Sequence, residues 1–226
     1  MEKLLSATPL KTSEIHSQRY NPVKSLGYGR LLGWNNFEGS THANSTTAYG
    51  LFKLCGGSDL SGVRGGIVYN AAGSQITFPG NFFTSGSRVK FMFSGKFNSL
   101  VSGDSITFAL IASSPSVANA LSSFCTVTAG INDKWYRWKF EVDFIFYHGS
   151  TTDFTLSSIT TVASLTLQQT ADGIGVVVPG NTNSSTASAA IGTFDEVISI
   201  SADVDWDAAS ADNSILGNSF EIIQYL

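Results

Sequence analysis

Residues 135–148 read WYRWKFEVDFIFYH, and this stretch decides the fold class. Apolar and polar side chains alternate along it with a period of two, which is the period of a β-strand with one buried face. The side chains predicted to be buried are Tyr136, Trp138, Phe140, Val142, Phe144 and Phe146. Those predicted to face the other way are Trp135, Arg137, Lys139, Glu141 and Asp143.

The same alternation recurs along the chain. It is clear in residues 88–93 and 105–110, and in 198–207, where apolar residues alternate with serine and aspartate. Phe154–Gln168 and Ile215–Tyr225 are further candidate strands. We count about eight to eleven strands of irregular spacing, a pattern typical of an antiparallel two-sheet sandwich. The sequence therefore predicts an all-β jelly roll over residues 46–226.

Clusters of Gly, Asn, Ser and Asp separate the candidate strands and predict turns. They lie at Asn98–Gly103, His148–Asp153 and Gly180–Ser188, the last predicted to be an exposed polar loop. Only Ser116–Ser123 is compatible with a helical turn. In residues 78–86 we expect Pro79 to end a strand, and Gly80 and Gly86 to permit positive φ.

Composition excludes several classes of protein. The 226 residues are 42% hydrophobic and only 13% charged, which is the reverse of the balance that disorder requires. A net charge of −4 argues against a nucleic-acid partner. No run approaches 18 apolar residues, and the N-terminus lacks the apolar region of a signal peptide. We therefore expect no membrane insertion and synthesis in a cytosol.

Charge is distributed unevenly along the chain. Residues 1–139 contain 13 basic and 6 acidic residues, whereas residues 140–226 contain 11 acidic residues and no Lys or Arg. Strands from the two halves could interleave and mix these charges. Alternatively, the folded particle is bipolar, with a basic end and an acidic end.

Two features lie outside the strand pattern. Residues 1–40 hold five basic residues and no clear period, so we interpret them as an extended N-terminal anchoring arm. A disordered terminus is the alternative. Cys55 and Cys125 allow either one disulfide or two buried thiols.

Three segments, in order, resemble a known family. Residues 76–91 read ITFPGNFFTSGSRVKF, 138–144 read WKFEVDF, and 198–215 read ISISADVDWDAASADNSI, with Glu221 and Leu226 closing the chain. Together they resemble the jelly-roll virion proteins of tailed phages and some large viruses. Gly80 stands where the family pattern has alanine, and Asp205 where it has glutamine.

The resemblance implies a virion structural protein, a fibre head, spike or decoration on the virion surface that is assembled in the host cytoplasm. It also implies a homotrimer. Residues 1–40 would then bind other virion proteins of the capsid or tail, and exposed loops would contact a host glycan or protein. A carbohydrate-binding module or lectin-like β-sandwich is the alternative.

Catalytic motifs are missing from the sequence, and we predict that the protein is not an enzyme. There is no G-x-S-x-G elbow, P-loop or H-E-x-x-H helix. The three histidines, His16, His42 and His148, are expected in loops or beside the arm. A small hydrolase remains a third hypothesis.

The only candidate metal ligands are Asp203, Asp205 and Asp207, which lie on one face of a predicted strand. Carboxylates two residues apart are about 7 Å apart along a strand, whereas Ca²⁺ needs oxygens at about 2.3–2.6 Å. The alternatives are a solvated acidic face and a Ca²⁺ site completed by bent side chains or a loop. We expect no other cofactor.

Overall fold

The computed structural model describes residues 30–35, 41–43, 47–56, 67–70, 74–99, 104–118, 121–128, 134–150, 152, 155–170, 182–209 and 213–225. These ranges contain thirteen strands and one short helix, α1 (Leu51–Gly56). The strands are β1 (Arg30–Asn35), β2 (Thr41–Ala43), β3 (Tyr49–Gly50), β4 (Val68–Asn70), β5 (Gln75–Phe78), β6 (Arg88–Ser99), β7 (Ser105–Ser113), β8 (Leu121–Thr128), β9 (Lys134–His148), β10 (Leu156–Thr170), β11 (Thr182–Thr193), β12 (Ile198–Trp206) and β13 (Ser214–Tyr225).

The strands form two antiparallel sheets. Sheet A has the order β1-β13-β6-β9-β10-β11, with β2 also paired to β13. Sheet B has the order β4-β5-β12-β7-β8, with β3 also paired to β12. The chain crosses repeatedly between the sheets, so strands from both halves of the sequence are neighbours. The predicted two-sheet jelly roll is confirmed.

Alternation along each strand fills the interior of the sandwich. On β9, the predicted inward side chains are buried from Trp138 to Phe146, and Tyr136 is half-buried. On β12, the apolar side chains from Ile198 to Trp206 are buried, and the intervening serines and aspartates face outward. Each sheet therefore has one apolar inner face and one polar outer face.

The short helix α1 inserts an aromatic side chain into one region of the core. The ring of Phe52 makes edge contacts with Phe93 at 5.1 Å, Phe220 at 5.7 Å and Phe91 at 6.2 Å. Six residues are too few for a stable isolated helix, so this packing, rather than helix propensity, holds α1. No helix in the described ranges is long or apolar enough to span a membrane.

Two segments form strands where the sequence suggested other structure. The sequence allowed a helical turn at Ser116–Ser123, but its described residues form none, and residues 121–128 form β8 and pair with β7. The polar loop expected at Gly180–Ser188 is strand from Thr182 onward, because β11 pairs with β10 along its length. In both segments, cross-strand hydrogen bonds override the local preferences of small polar residues.

The turn after β5 joins the family-like segment 76–91 to the core. β5 ends at Phe78 before Pro79, as expected. Positive φ occurs at Asn81 (60°) and Gly86 (91°), so the prediction for Gly80 is wrong. Glycine at position 80 instead lets the backbone pass close to that of Asp195. A Cβ at this position would lie 2.0 Å from the carbonyl oxygen of Asp195. Phe83 then stacks on Phe146, with ring centroids 3.9 Å apart.

The N-terminal region contributes two strands to sheet A. β1 pairs with one side of β13, and β2 pairs with the same strand farther along. These strands extend the sandwich ahead of residue 46, where the domain boundary was expected. Residues 1–29 and 36–40, the remainder of the expected arm, lie outside the described residues, so the arm stays a prediction.

Candidate functional site

The three candidate aspartates lie along β12, on the outer face of sheet B. Asp203 and Asp205 are half-buried, and Asp207 is exposed just beyond the end of the strand. Burial raises the pKa of Asp203, and the negative charge of Asp205 raises it further. Burial likewise raises the pKa of Asp205, with Asp207 contributing. No Lys, Arg or His in the described part of the chain lies within ion-pair distance of either carboxylate.

Asp207 has a structural role at the end of the strand. Its Oδ1 accepts a hydrogen bond of 2.7 Å from the backbone N–H of Ser105, and its own N–H donates to the Ser105 carbonyl at 3.0 Å. Its carboxylate therefore holds the start of β7 against the end of β12. In the described part of the chain, no group of three or more His, Cys, Asp or Glu is arranged to hold a metal ion.

Charge is segregated by sheet. The described strands of sheet B contain no Lys, Arg or His, and their acidic residues, Asp203 and Asp205, are both on β12. The strands of sheet A contain seven Lys or Arg residues and only three acidic ones. Strands from the two halves interleave, and on sheet A basic residues of the first half pair with Glu141 and Asp143 of the second half. The sandwich has a basic outer face on sheet A and an acidic outer face on sheet B.

Ion pairs on sheet A lie between β6 and β9. Arg88 Nη2 lies 2.9 Å from Asp143 Oδ2, and Glu141 Oε1 lies 3.0 Å from Lys90 Nζ and 3.1 Å from Lys139 Nζ. Burial raises the pKa of Glu141, but the hydrogen bonds and charges of the two lysines outweigh it and hold the pKa below its ordinary value. Two lysines therefore share one carboxylate.

Arg137 and Lys96 face each other across β9 and β6 on the same surface. Neither is within ion-pair distance of a described carboxylate. The Lys96 ammonium lies 5.0 Å from the centroid of the Trp135 ring, a cation–π contact. The alternation of residues 135–148 predicted that Trp135 and Arg137 lie on the outer face of β9. Sequence alone did not show that Lys96 would join them.

The described surface of sheet A has a small depression of about 170 Å³ near its centre. It is lined by Met92, Phe93, Ser94, Lys139, Ser219 and Glu221. Its volume is below the roughly 300–1,000 Å³ of typical small-molecule sites. Exposed rings lie toward the two ends of β9, at Trp135 and Tyr147, each 37% exposed.

The remaining candidate residues do not converge on a site. The His148 ring packs edge-on against Phe194, with centroids 5.6 Å apart. His16 and the side chain of His42 lie outside the described residues. Cys55 and Cys125 are not joined by a disulfide, and both side chains are buried. Of the alternatives for the cysteines, the structure shows two buried thiols.

No family model and no curated protein matches this chain. Among solved structures, it is similar to the CBM2 module of the evolved Dit of Lactobacillus casei BL23 phage J-1, with 13% identity, a TM-score of 0.24 and coverage of 87% of this chain and 97% of that chain. It is also similar to a legume lectin-like domain from Entamoeba histolytica, with 9% identity and a TM-score of 0.23. The match covers 70% of this chain and 87% of that chain. A third similar structure is lectin I-B4 from Griffonia simplicifolia, with 7% identity and a TM-score of 0.25. The match covers 67% of this chain and 80% of that chain. Likenesses this weak carry no argument about function.

Proposed function

We propose that this chain is a virion structural protein: a jelly-roll head displayed on the virion surface as part of a fibre, spike or decoration. The supporting observation is the convergence of the three family-like segments. Residues 76–91 form β5, its turn and the start of β6; residues 138–144 lie in the adjacent β9; and residues 198–215 span β12 and the start of β13. Segments far apart in sequence therefore occupy neighbouring positions in one sandwich.

Aromatic contacts link these segments in the core. Phe78 and Phe83 from the first segment lie 4.9 Å apart, and Phe91 makes an edge contact with Phe144 of the second at 5.4 Å. In the third, Ile198 and Ile200 pair with Phe78 and Ile76 in sheet B. The resemblance thus coincides with a set of mutually packed residues, as expected of a fold signature.

The charge of the described strands supports a macromolecular partner. Sheet A carries an excess of basic residues and sheet B carries only acidic ones. We propose a non-catalytic role in which these faces and the connecting loops contact other virion proteins, further copies of the chain or a host glycan or protein. The proposed assembly is a homotrimer, formed in the host cytoplasm and carried on the virion surface.

Electron microscopy of virions with a gold-labelled antibody against this chain tests the role directly. We expect label at the capsid surface or the tail, and particles without label would contradict the proposal. A second test compares the full chain with residues 30–226, because β1 begins at Arg30 and pairs with β13. The shortened chain should keep a β-rich circular dichroism spectrum and fail to join particles. If the shortened chain joins particles as well as the full chain does, the result would contradict an anchoring role for the arm.

Carbohydrate binding is the alternative function, and the exposed Trp135 ring favours it. Aromatic faces stack on sugars, and Trp135 lies among polar side chains on the outer face of sheet A. Calorimetric titration with a glycan panel tests this alternative. Sugar affinity that is lost in Trp135→Ala and kept in Tyr147→Ala would favour a binding module. Turnover of any glycan would instead revive the hydrolase hypothesis.

A further inference from the structure

We infer that one end of the outer face of sheet A binds a sugar that carries a carboxylate. Arg137 and Lys96 hold the carboxylate, and the Trp135 ring packs against the sugar. We call these three residues the cationic site. The inference rests on the host glycan contact of the proposed function, and it names the ligand as an acidic glycan with a uronic or sialic acid residue.

The pairing of β6 with β9 brings the three side chains of the cationic site together. Lys96 lies directly across from Arg137, and Trp135 is the next outward residue of β9. Residues directly opposite on an antiparallel pair have Cβ atoms about 4.5–5.5 Å apart. Residues two apart on one strand are about 6.6 Å apart. The two cations and the indole ring are therefore close enough to contact one small ligand together.

The two cations of the site are not neutralised by any described carboxylate. Neither Lys96 nor Arg137 is within ion-pair distance of one, whereas Lys90 and Lys139 both pair with Glu141. Like charges directly opposite on neighbouring strands are destabilising. Arg137 is exposed and Lys96 is half-buried, so solvent and ligands can reach both. A bound carboxylate would offset the repulsion between them.

Trp135 supplies an aromatic surface beside these cations. Its side chain is 37% exposed, and the Lys96 ammonium lies 5.0 Å from the centroid of its ring. This cation–π contact holds the ammonium next to the ring. The exposed part of the ring can then contact the C–H groups of a sugar while the ammonium binds its carboxylate. Small-molecule sites combine aromatic surface with a few placed polar groups in the same way.

The surroundings of the site favour a single carboxylate over a densely charged polymer. The planar guanidinium of Arg137 can donate two parallel hydrogen bonds to one carboxylate. Farther along the face, Glu221 lies across from Met92, which is four residues or about 13 Å from Lys96 along β6. No described cation is within ion-pair distance of Glu221. A sulfated polymer laid along the strands would bring its own negative charges close to this carboxylate.

Calorimetric titration of the full chain with matched sugars tests the inference. The probes are sialyllactose and a trigalacturonate, each compared with its methyl ester, which keeps the sugar and removes the charge. At least one acid should bind about tenfold or more tightly than its ester, because the ester loses the charge-assisted hydrogen bonds. High salt should weaken binding of the acid, because ions screen the attraction. A sulfated disaccharide should bind more weakly than the preferred acid.

Variants of the site identify the residues that bind. Arg137→Gln and Lys96→Gln should each lower the affinity for the acid by about tenfold and leave the affinity for the ester unchanged. Arg137→Lys keeps the charge but loses the planar fork, so its affinity should be intermediate. Trp135→Ala should weaken binding of both the acid and the ester. The matched control is Arg88→Gln, which removes a cation at the far end of β6 that already pairs with Asp143, and it should leave binding unchanged. Far-ultraviolet circular dichroism checks that each variant retains its β structure.

The results separate this inference from the proposed function. Failure of both acids to bind, or equal affinity for acid and ester, would overturn the inference and leave the particle labelling experiment unaffected. Acid binding that survives both glutamine variants would also overturn it, because the carboxylate would then bind elsewhere. Tighter binding of the sulfated disaccharide would refute the choice of a carboxylate. Particles without label would contradict the virion role, whereas acid-selective binding by the purified chain would still support the site.

Discussion

Replacing Trp138 with alanine probes the packing of β9 against both sheets. The Trp138 side chain is 2% exposed, and its ring centroid lies 4.9 Å from that of Phe108 on the opposite sheet. It also covers Gly95 on the neighbouring strand, where a Cβ would lie 2.6 Å from Trp138 Cζ2. Trp138→Ala therefore opens a cavity that reaches from one sheet to the other.

The expected cost combines two opposing contributions. Burial loss and the cavity together cost about 3–5 kcal/mol for a large aromatic residue replaced by alanine. However, no described group accepts a hydrogen bond from the buried Trp138 Nε1, and removing such a donor offsets about 1–3 kcal/mol. The midpoints of these two ranges give an expected net loss of about 2 kcal/mol of unfolding free energy. Trp138→Phe keeps most of the ring and removes the N–H, so it should cost less than about 1.5 kcal/mol.

Urea unfolding followed by far-ultraviolet circular dichroism measures these differences. All variants are compared at one protein concentration, because association would make stability concentration-dependent. Trp135→Ala is the matched control on the same strand but on the outer face, 37% exposed, and should cost no more than about 1 kcal/mol. Equal losses for the two alanine variants would refute the assignment of faces on β9. A Phe variant as unstable as the Ala variant would refute the cost assigned to the indole N–H.

The remaining predictions concern a carboxylate, a glycine and a thiol. Asp203→Asn should raise the melting temperature at pH 7, because the raised pKa of Asp203 means that its ionised form destabilises the folded state. The gain should fade as the pH drops below the ordinary pKa of 3.8, where the carboxyl is protonated in both states, and a gain that persists there would contradict the explanation. Gly80→Ala should cost about 1–3 kcal/mol in urea unfolding, because its Cβ would meet the backbone of Asp195, and a neutral result would show that the turn can move. Cys55 should resist alkylation at pH 8 in the native protein and react after unfolding, because burial raises the pKa of its thiol; mass spectrometry of native and unfolded samples decides this.

The period of two along the chain was sufficient to determine the fold class and the inward faces of β9 and β12. Alternation is a local consequence of backbone geometry, because successive Cβ atoms of a strand point to opposite faces. It therefore needs no knowledge of partner strands. Local composition was a poorer guide at residues 182–188, where small polar residues form an edge strand, and at residues 51–56, where a helix is held by the core.

Only the tertiary structure decided which charges share a surface. Arg137 and Lys139 precede the acidic half of the sequence by a few residues, yet the pairing order places them on one sheet and Asp203 and Asp205 on the other. The same is true of the buried hydrogen bond of 2.7 Å from Asn213 Nδ2 to Asp104, which joins residues 109 positions apart. Such long-range placement depends on which strands pair and on how the chain crosses between sheets. Those are properties of the whole fold, and no local periodicity contains them.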